Sequence, residues 1–312
     1  MGTAEGLEDR SLGRTTVLFG ERGGRYPHGN SLLVVGSEET VIIDPSLGVI
    51  PRRDRLPPVD RVLNSHCHED HIAGNHLFSH APWHLHKLDL PGIRSLDDLM
   101  AIYGLPAPLD RAFRNVVREQ FHFVPRPDPV ALQDGEVLEL GMSRIRVIHA
   151  PGHTRGHCFF HIEPDDVLFL GDVELSRFGP YYGDAWSSLE DFEVTLRLAR
   201  GMRARFYATF HHVGLLEGRD TFLERLDRFA EVIAAREARL LEFLRAPRTL
   251  DEIAQHRFVY RPQDAVPIAE AVERRSMGQH LERLAREGRV REVDPGRFLA
   301  QPSAGRVGEA RG

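Results

Sequence analysis

The sequence predicts a mixed α/β (α+β) chain, one large domain followed by a smaller helical one. Two observations carry this. Short apolar runs of strand length alternate with stretches whose apolar residues recur every three to four positions. The length, 312 residues, also leaves room for a second unit beyond the last strand-like run of a large domain. The expected layout is residues 1–228, then 229–301, then a tail over 302–312 rich in Gly, Ser and Arg and expected to be disordered.

Composition narrows the class. An apolar fraction of 41% with 28% charged residues is that of a soluble globular protein. No run approaches the ~18 apolar residues of a membrane span, and Met1 to Arg10 is polar and acidic, unlike a signal peptide. Cys67 and Cys158 offer no disulfide framework. A cytoplasmic protein without a membrane partner is therefore expected. The net charge of −6 gives no general attraction to nucleic acid. Lys87 is the sole lysine, so arginine clusters reflect a general bias and are discounted as phosphate sites.

Taken in order, Thr16 to Phe19 reads as a first strand, followed by a Gly-rich turn at Gly20 to Gly24. Ser31 to Val35 and Val41 to Ile43 are strands joined by a polar turn, a hairpin pattern. The second ends in Asp44, which either caps a turn or orients a ligand histidine from outside the ligand set. Arg53 to Val62 is a Pro-interrupted approach to the stretch His66-Cys67-His68-Glu69-Asp70-His71.

That stretch reads as a metal-binding loop. In extended backbone His66 and His68 project to one side and can share an ion, and the chain then bends to aim Asp70 and His71 at a second position. Imidazole and carboxylate suit Zn2+, and also iron or manganese. Any one of the 17 histidines could be an ordinary surface residue, but four potential ligands in so short a run argue otherwise. Cys67 either packs into the turn or, if it faces the ions, competes as a ligand.

A short helix is predicted from Asp70 through Phe78, then a strand at Trp83 to His86. Ser95 to Phe123 is helical by the spacing of Leu96, Leu99, Met100 and Tyr103. This helical insertion, about 88–123, either covers the site as a lid or only packs. Strand character resumes at Gly135 to Leu140 and Ile145 to Ile148. The tight loop Pro151-Gly152 can aim His153 into a cleft as the third imidazole of the first metal, with His157 as a hydrogen-bonding residue before the strand Cys158 to Ile162. Val167 to Leu170 ends in Gly171-Asp172, and an aspartate there is suited to bridge two cations. The Gly-bounded aromatic loop Phe178 to Gly183 offers Tyr181 and Tyr182 as substrate-pocket residues. Ser187 with Glu190 reads as a capping box opening a helix. Phe206 to Phe210 is expected as the last strand of the domain, ending in His211-His212, one of which completes the second metal.

Together, His66-x-His68-x-Asp70-His71, Pro151-Gly152-His153-Thr154-x-Gly156-His157, Gly171-Asp172 and a strand-end histidine resemble the metallo-β-lactamase-fold hydrolase superfamily. The resemblance covers residues about 16–220 and its joint pattern is specific. It implies an αββα metallo-β-lactamase sandwich with the metals at one sheet edge. It further implies that His66, His68 and His153 hold the first of two metals, that Asp70, His71 and the late histidine hold the second, and that Asp172 bridges. His211 is preferred over His212, because family members often carry a glycine about seven residues after this ligand and Gly218 stands there. Phe229 to Leu244, Thr249 to Ile253 and Gly278 to Leu284 read as helices, and Val290 to Phe298 as a two-stranded ending. This part is similar to the winged-helix tail of the intracellular β-lactamase-like proteins, some of which cleave RNA. Twelve arginines against ten acidic residues from Arg248 to Gly312 leave nucleic-acid contact less favoured than packing or homodimerisation.

The expected reaction is hydrolysis. Two cations about 4 Å apart can bridge a water and lower its pKa toward neutrality, with Asp70 orienting the nucleophile and receiving its proton and Tyr181 or Tyr182 donating to the oxyanion. The expected substrate is a small-molecule ester, thioester or lactone. A nuclease acting on RNA or single-stranded DNA is the alternative, and iron-dependent redox chemistry of the same fold a third class. The flavodiiron version of the fold typically has Glu where this chain has His68, which argues against that branch.

Overall fold

The structure is a computed structural model that describes residues 8–302. Nearly all of the expected C-terminal tail lies outside the described residues. The chain divides into two compact units between Glu231 and Val232.

The first unit is built on two mixed sheets. One runs β1 (Arg10–Leu12), β2 (Thr15–Leu18), β3 (Ser31–Val35), β4 (Thr40–Ile43), β5 (Arg61–Leu63), β6 (Trp83–His86) and β7 (Val130–Leu132), in that spatial order. Its first four strands are antiparallel and β4 to β7 parallel. The other contains β8 (Val137–Glu139), β9 (Arg144–His149), β10 (Cys158–Glu163), β11 (Val167–Phe169), β12 (Phe206–Ala208) and β13 (Leu215–Glu217), again in chain order across the sheet, with only β11 and β12 parallel. Side chains of both sheets interdigitate between them, including Val17, Val34, Val41, Phe160, Phe169 and Phe210. The outer face of the first sheet buries Ile42, Val62 and Trp83 against Ile93, Leu99 and Val117.

Those last residues belong to the insertion, which forms α2 (Leu90–Arg94), α3 (Leu96–Tyr103) and α4 (Ala107–Glu119); α1 is a single irregular turn, Glu21–Gly24. Beside the second sheet lie α5 (Leu189–Gly201) and the part of α6 (Arg219–Phe243) that belongs to the first unit. Tyr207 of β12 stacks on Phe222 of α6 at 3.9 Å between ring centres. The result is an αββα sandwich. Val41 and Ile42 are adjacent yet both fully buried, one inside and one outside the sheet, which is why these strands read as continuous apolar runs.

The second unit has its own core of Leu240, Leu244, Ile253, Phe258, Met277, Leu281, Leu284 and Val290. It contains β14 (Arg248–Thr249), α7 (Leu250–His256), α8 (Ala269–Arg286), β15 (Val290–Asp294) and β16 (Arg297–Ala300), with the strands ordered β14-β16-β15. Thr249 and Glu252 form a capping box at the start of α7. Buried Glu273 accepts hydrogen bonds from the backbone N–H groups of Phe258, Val259 and Tyr260. No helix among the described residues is long and apolar enough to cross a membrane.

Several local expectations are corrected. There is no helix from Asp70. Asn64 Nδ2 donates to the His71 carbonyl, and the Gly74 N–H donates to that of Pro45, so the segment is tied to its neighbours and only a 3-10 turn, Asn75–Phe78, follows. The cap of α5 is Ser188, which accepts from the Asp191 N–H, while the Ser187 hydroxyl donates to the His153 carbonyl. The first unit also gains β1 in the polar start and β13 after the histidines, so Phe206–Ala208 is not its last strand.

The inter-sheet packing reaches the metal-loop histidines through Phe210, whose ring stacks on His71 at 3.6 Å. A Cβ at Gly29 would collide with the Phe210 ring. Gly29→Ala is expected to lower stability by about 1–3 kcal/mol, read as a lower urea midpoint at unchanged slope; an unaltered midpoint would contradict this packing.

Candidate metal centre

The four informative stretches of sequence arrive at one edge of the sandwich because each follows a strand: His66 to His71 after β5, His153 after β9, Asp172 after β11 and His211 after β12. Gly152 makes the turn before His153, at φ +125° and with no room for a Cβ against the Phe192 backbone. All seven expected ligands are nearly or largely buried, and they fall into two sets of converging atoms: His66, His68, His153 and Asp172, and Asp70, His71 and His211.

In the first set His68 Nδ1 lies 2.9 Å from both His66 Nε2 and His153 Nε2, and Asp172 Oδ2 lies 3.1 Å from His153 Nε2. In the second, His211 Nε2 is 3.0 Å from Asp70 Oδ2, and His71 Nε2 is 3.9 Å from Asp70 Oδ1. Asp172 turns its other oxygen to this set, with Oδ1 at 3.0 Å from His71 Nε2 and 4.0 Å from His211 Nε2. One carboxylate thus faces both groups.

The far nitrogen of every histidine is occupied. His71 Nδ1 is 2.7 Å from Asp44 Oδ2, His153 Nδ1 is 3.0 Å from the Tyr181 carbonyl, and His211 Nδ1 is 2.7 Å from the Gly24 carbonyl. His66 Nδ1 meets the Ser65 hydroxyl at 3.1 Å, and His68 Nε2 lies 3.0 Å from Asp184 Oδ2. Where the partner only accepts, a proton must sit on the far nitrogen, so the converging nitrogen is the one that gives up any second proton and offers its lone pair to a cation. His71 Nε2, Asp70 Oδ2 and Asp172 Oδ1 are buried and meet only other atoms of the ligand sets, none of them in good hydrogen-bond geometry. Each such buried group costs about 1–3 kcal/mol, a large share of the ~5–15 kcal/mol that holds a domain folded. Divalent cations satisfy this donor set, and mixed imidazole and carboxylate donors suit them.

Burial and neighbouring charge divide the ligands between them. Burial, helped by neighbouring His71, His68 and His153, holds His66 well below its usual pKa. Burial opposes ionisation of Asp172, but His71, His211 and His153 outweigh it and keep the carboxyl well below its usual range. Burial also pushes His211 down, yet Asp172 and Asp70 win and raise it to about 9. In the metal-free chain a proton stands in for the cation there.

Around the ligands, Asp44 orients His71 and also accepts from the Ser65 N–H and hydroxyl at 2.6 and 2.5 Å. His157 bonds the Ala150 carbonyl through Nδ1 and accepts from the Asp172 N–H through Nε2; burial, with His153 nearby, lowers it to about 3, so it stays neutral. Cys67 is buried, and burial with Asp89 beside it keeps the thiol protonated; its sulfur is in neither ligand set. His212 is directed to Glu174, 3.4 Å away. Tyr181, expected at the substrate, donates its hydroxyl to Asp184 at 2.9 Å, and Tyr182 is buried with its ring near that of Phe192.

Sequence reasoning missed Asp184 and Asp89. Asp184 holds both His68 and Tyr181. Asp89 accepts from the Thr154 hydroxyl and the Gly156 N–H at 2.6 and 2.7 Å, tying the His153 loop to the chain after β6. Neither stands at ligand spacing, and no signal short of the fold would have singled them out.

Asp184→Asn should weaken zinc affinity about 10–100-fold, measured by chelator competition, because His68 then loses the carboxylate that fixes its ring. Affinity should also rise with pH. Below about 9 His211 carries a proton that the cation must displace, so roughly tenfold tighter binding per pH unit is expected for each proton released, levelling above that value. Calorimetry between pH 6 and 8 would expose an error as pH-independent binding.

Known proteins match this architecture. Residues 25–235 fit the Metallo-beta-lactamase superfamily profile. The acyl-coenzyme A thioesterase MBLAC2 of Homo sapiens is 30% identical over 200 residues, covering 55% of this chain and 68% of its own. A hydroxyacylglutathione hydrolase of Methylococcus capsulatus is 34% identical over 141 residues, 44% of each chain. A solved metallo-beta-lactamase family protein of Thermus thermophilus superposes with a TM-score of 0.70 at 25% identity, covering 92% of this chain and 99% of that one. With the profile spanning more than half its length, the chain belongs to the metallo-beta-lactamase superfamily.

Proposed function

We propose that this metallo-hydrolase cleaves the thioester bond of a small acyl thioester, using two divalent cations, in first place Zn2+. The observation that carries the hydrolytic reading is the shared carboxylate: Asp172 faces two adjacent donor sets, His66/His68/His153 and Asp70/His71/His211. Thioester, rather than another ester or a lactone, is supported by two relatives whose names describe thioester hydrolysis. Cations bound in this arrangement would supply an activated water at neutral pH and polarise the scissile carbonyl.

The protein's part is then to hold charge and position. Asp70, which His71 and His211 keep ionised against the cost of burial, is the carboxylate available to orient the nucleophile and take its proton. Asp44, Asp184 and the carbonyls of Gly24 and Tyr181 fix the imidazoles, so little reorganisation is needed during turnover. The nuclease alternative is less favoured, since several arginines of the second unit are paired with carboxylates: Arg274 with Asp251, Arg283 and Arg289 with Glu237, Arg245 with Glu242.

The test is a panel of acyl thioesters, esters, lactones and phosphodiesters offered to metal-loaded protein. Thioester turnover should be the largest and should fall to background in Asp172→Ala and His68→Ala, with two metals per chain by elemental analysis. Full activity in both variants, or phosphodiester cleavage alone, would overturn the reading.

A further inference from the structure

Glu69 lies between the ligands His68 and Asp70, is 4% exposed, and bonds with two phenols from separate parts of the chain. The Tyr26 hydroxyl donates to Oε1 at 2.8 Å. The Tyr103 hydroxyl, from the C-terminal end of α3, makes a short hydrogen bond to Oε2 and accepts from the Glu69 N–H at 3.3 Å. The Tyr103 ring in turn stacks on His68 at 5.2 Å and 21°.

Tyr26 is the unusual member. Its chain neighbour but one, Gly24, gives its carbonyl to His211, so the Tyr26 side chain runs from the His211 side of the site to the carboxylate between His68 and Asp70. Its ring stands 5.8 Å from that of Phe121, which follows α4, yet the residue remains 51% exposed. A large aromatic surface left open to water while its hydroxyl is anchored to a buried carboxylate is a pre-ordered contact surface, since the entropy of fixing the ring has already been lost on folding.

We infer that Tyr26 is a specificity-determining residue. Its ring forms one wall of the substrate cleft, and the apolar acyl chain of the thioester lies against it. The half-exposed Tyr26 ring, backed by buried Phe121, offers apolar area and has its one polar atom already engaged, so the wall favours hydrocarbon over a charged group. Glu69 and Tyr103 are positioning residues that hold the wall. The inference rests on the thioester reading above for the nature of the chain, not for the existence of the wall.

The test uses the metal-loaded protein with Tyr26→Ala, which removes the wall, and Tyr26→Phe, which keeps the ring and releases its anchor. For a series of linear acyl thioesters of one thiol, from two to twelve carbons, the ratio of long-chain to short-chain kcat/KM should fall at least tenfold in Tyr26→Ala, mainly through KM. In Tyr26→Phe it should fall by a smaller factor. A uniform loss at every chain length, leaving the ratio within twofold of wild type, would overturn the inference. Calorimetric binding of dodecanoate against acetate requires no turnover and so separates the two failures. If no thioester is hydrolysed but Tyr26→Ala weakens dodecanoate selectively, the functional reading alone is lost. If dodecanoate binds wild type and Tyr26→Ala alike, or binds neither, the wall is refuted whatever the activity.

Discussion

Lone pairs crowded into a buried space govern this structure. His66, His68, His71, His153 and His211 can aim their free nitrogens at one another and at Asp70 and Asp172 only because each far nitrogen is tied elsewhere, to a serine, a carboxylate or a backbone carbonyl. Without those ties the rings could turn and satisfy each other, and the positive charge the cluster demands would be lost. The arrangement is destabilising by itself and becomes favourable when cations, or protons in their absence, occupy it.

The sandwich exists around that constraint. Strands of both sheets end at the same edge, so one short loop from each can present its ligand without a long and costly excursion. The dense inter-sheet core then fixes where those loops begin. Phe210 shows the coupling most directly: it belongs to the core, stacks on His71, and precedes His211 in the chain. Asp89 performs a similar service at the other side, joining the His153 loop to the segment after β6. Core packing and ligand geometry are therefore one problem in this protein.

His212 illustrates how a local irregularity can matter without being a ligand. Its backbone adopts a left-handed φ of 56°, uncommon for a residue with a side chain, and that turn carries its ring away to Glu174 while His211 points inward. In one dimension only the spacing to Gly218 favoured His211 over its neighbour. Backbone conformation separates them.

By itself the sequence determined the strands that bear the site, the helical insertion, and the residue types able to hold two cations, because ligand spacing within a short loop and apolar periodicity are local properties. It also marked Asp44 as a carboxylate at a strand end without deciding between its two uses. The tertiary structure alone decided that Asp44 serves His71, that Asp184 and Asp89 brace the ligand loops, that His211 faces inward, and that Tyr181 is turned to Asp184. It also placed Tyr26 beside Glu69. Each of these depends on contacts between residues distant in the chain, and a side chain's partner across such a separation leaves no periodicity to read.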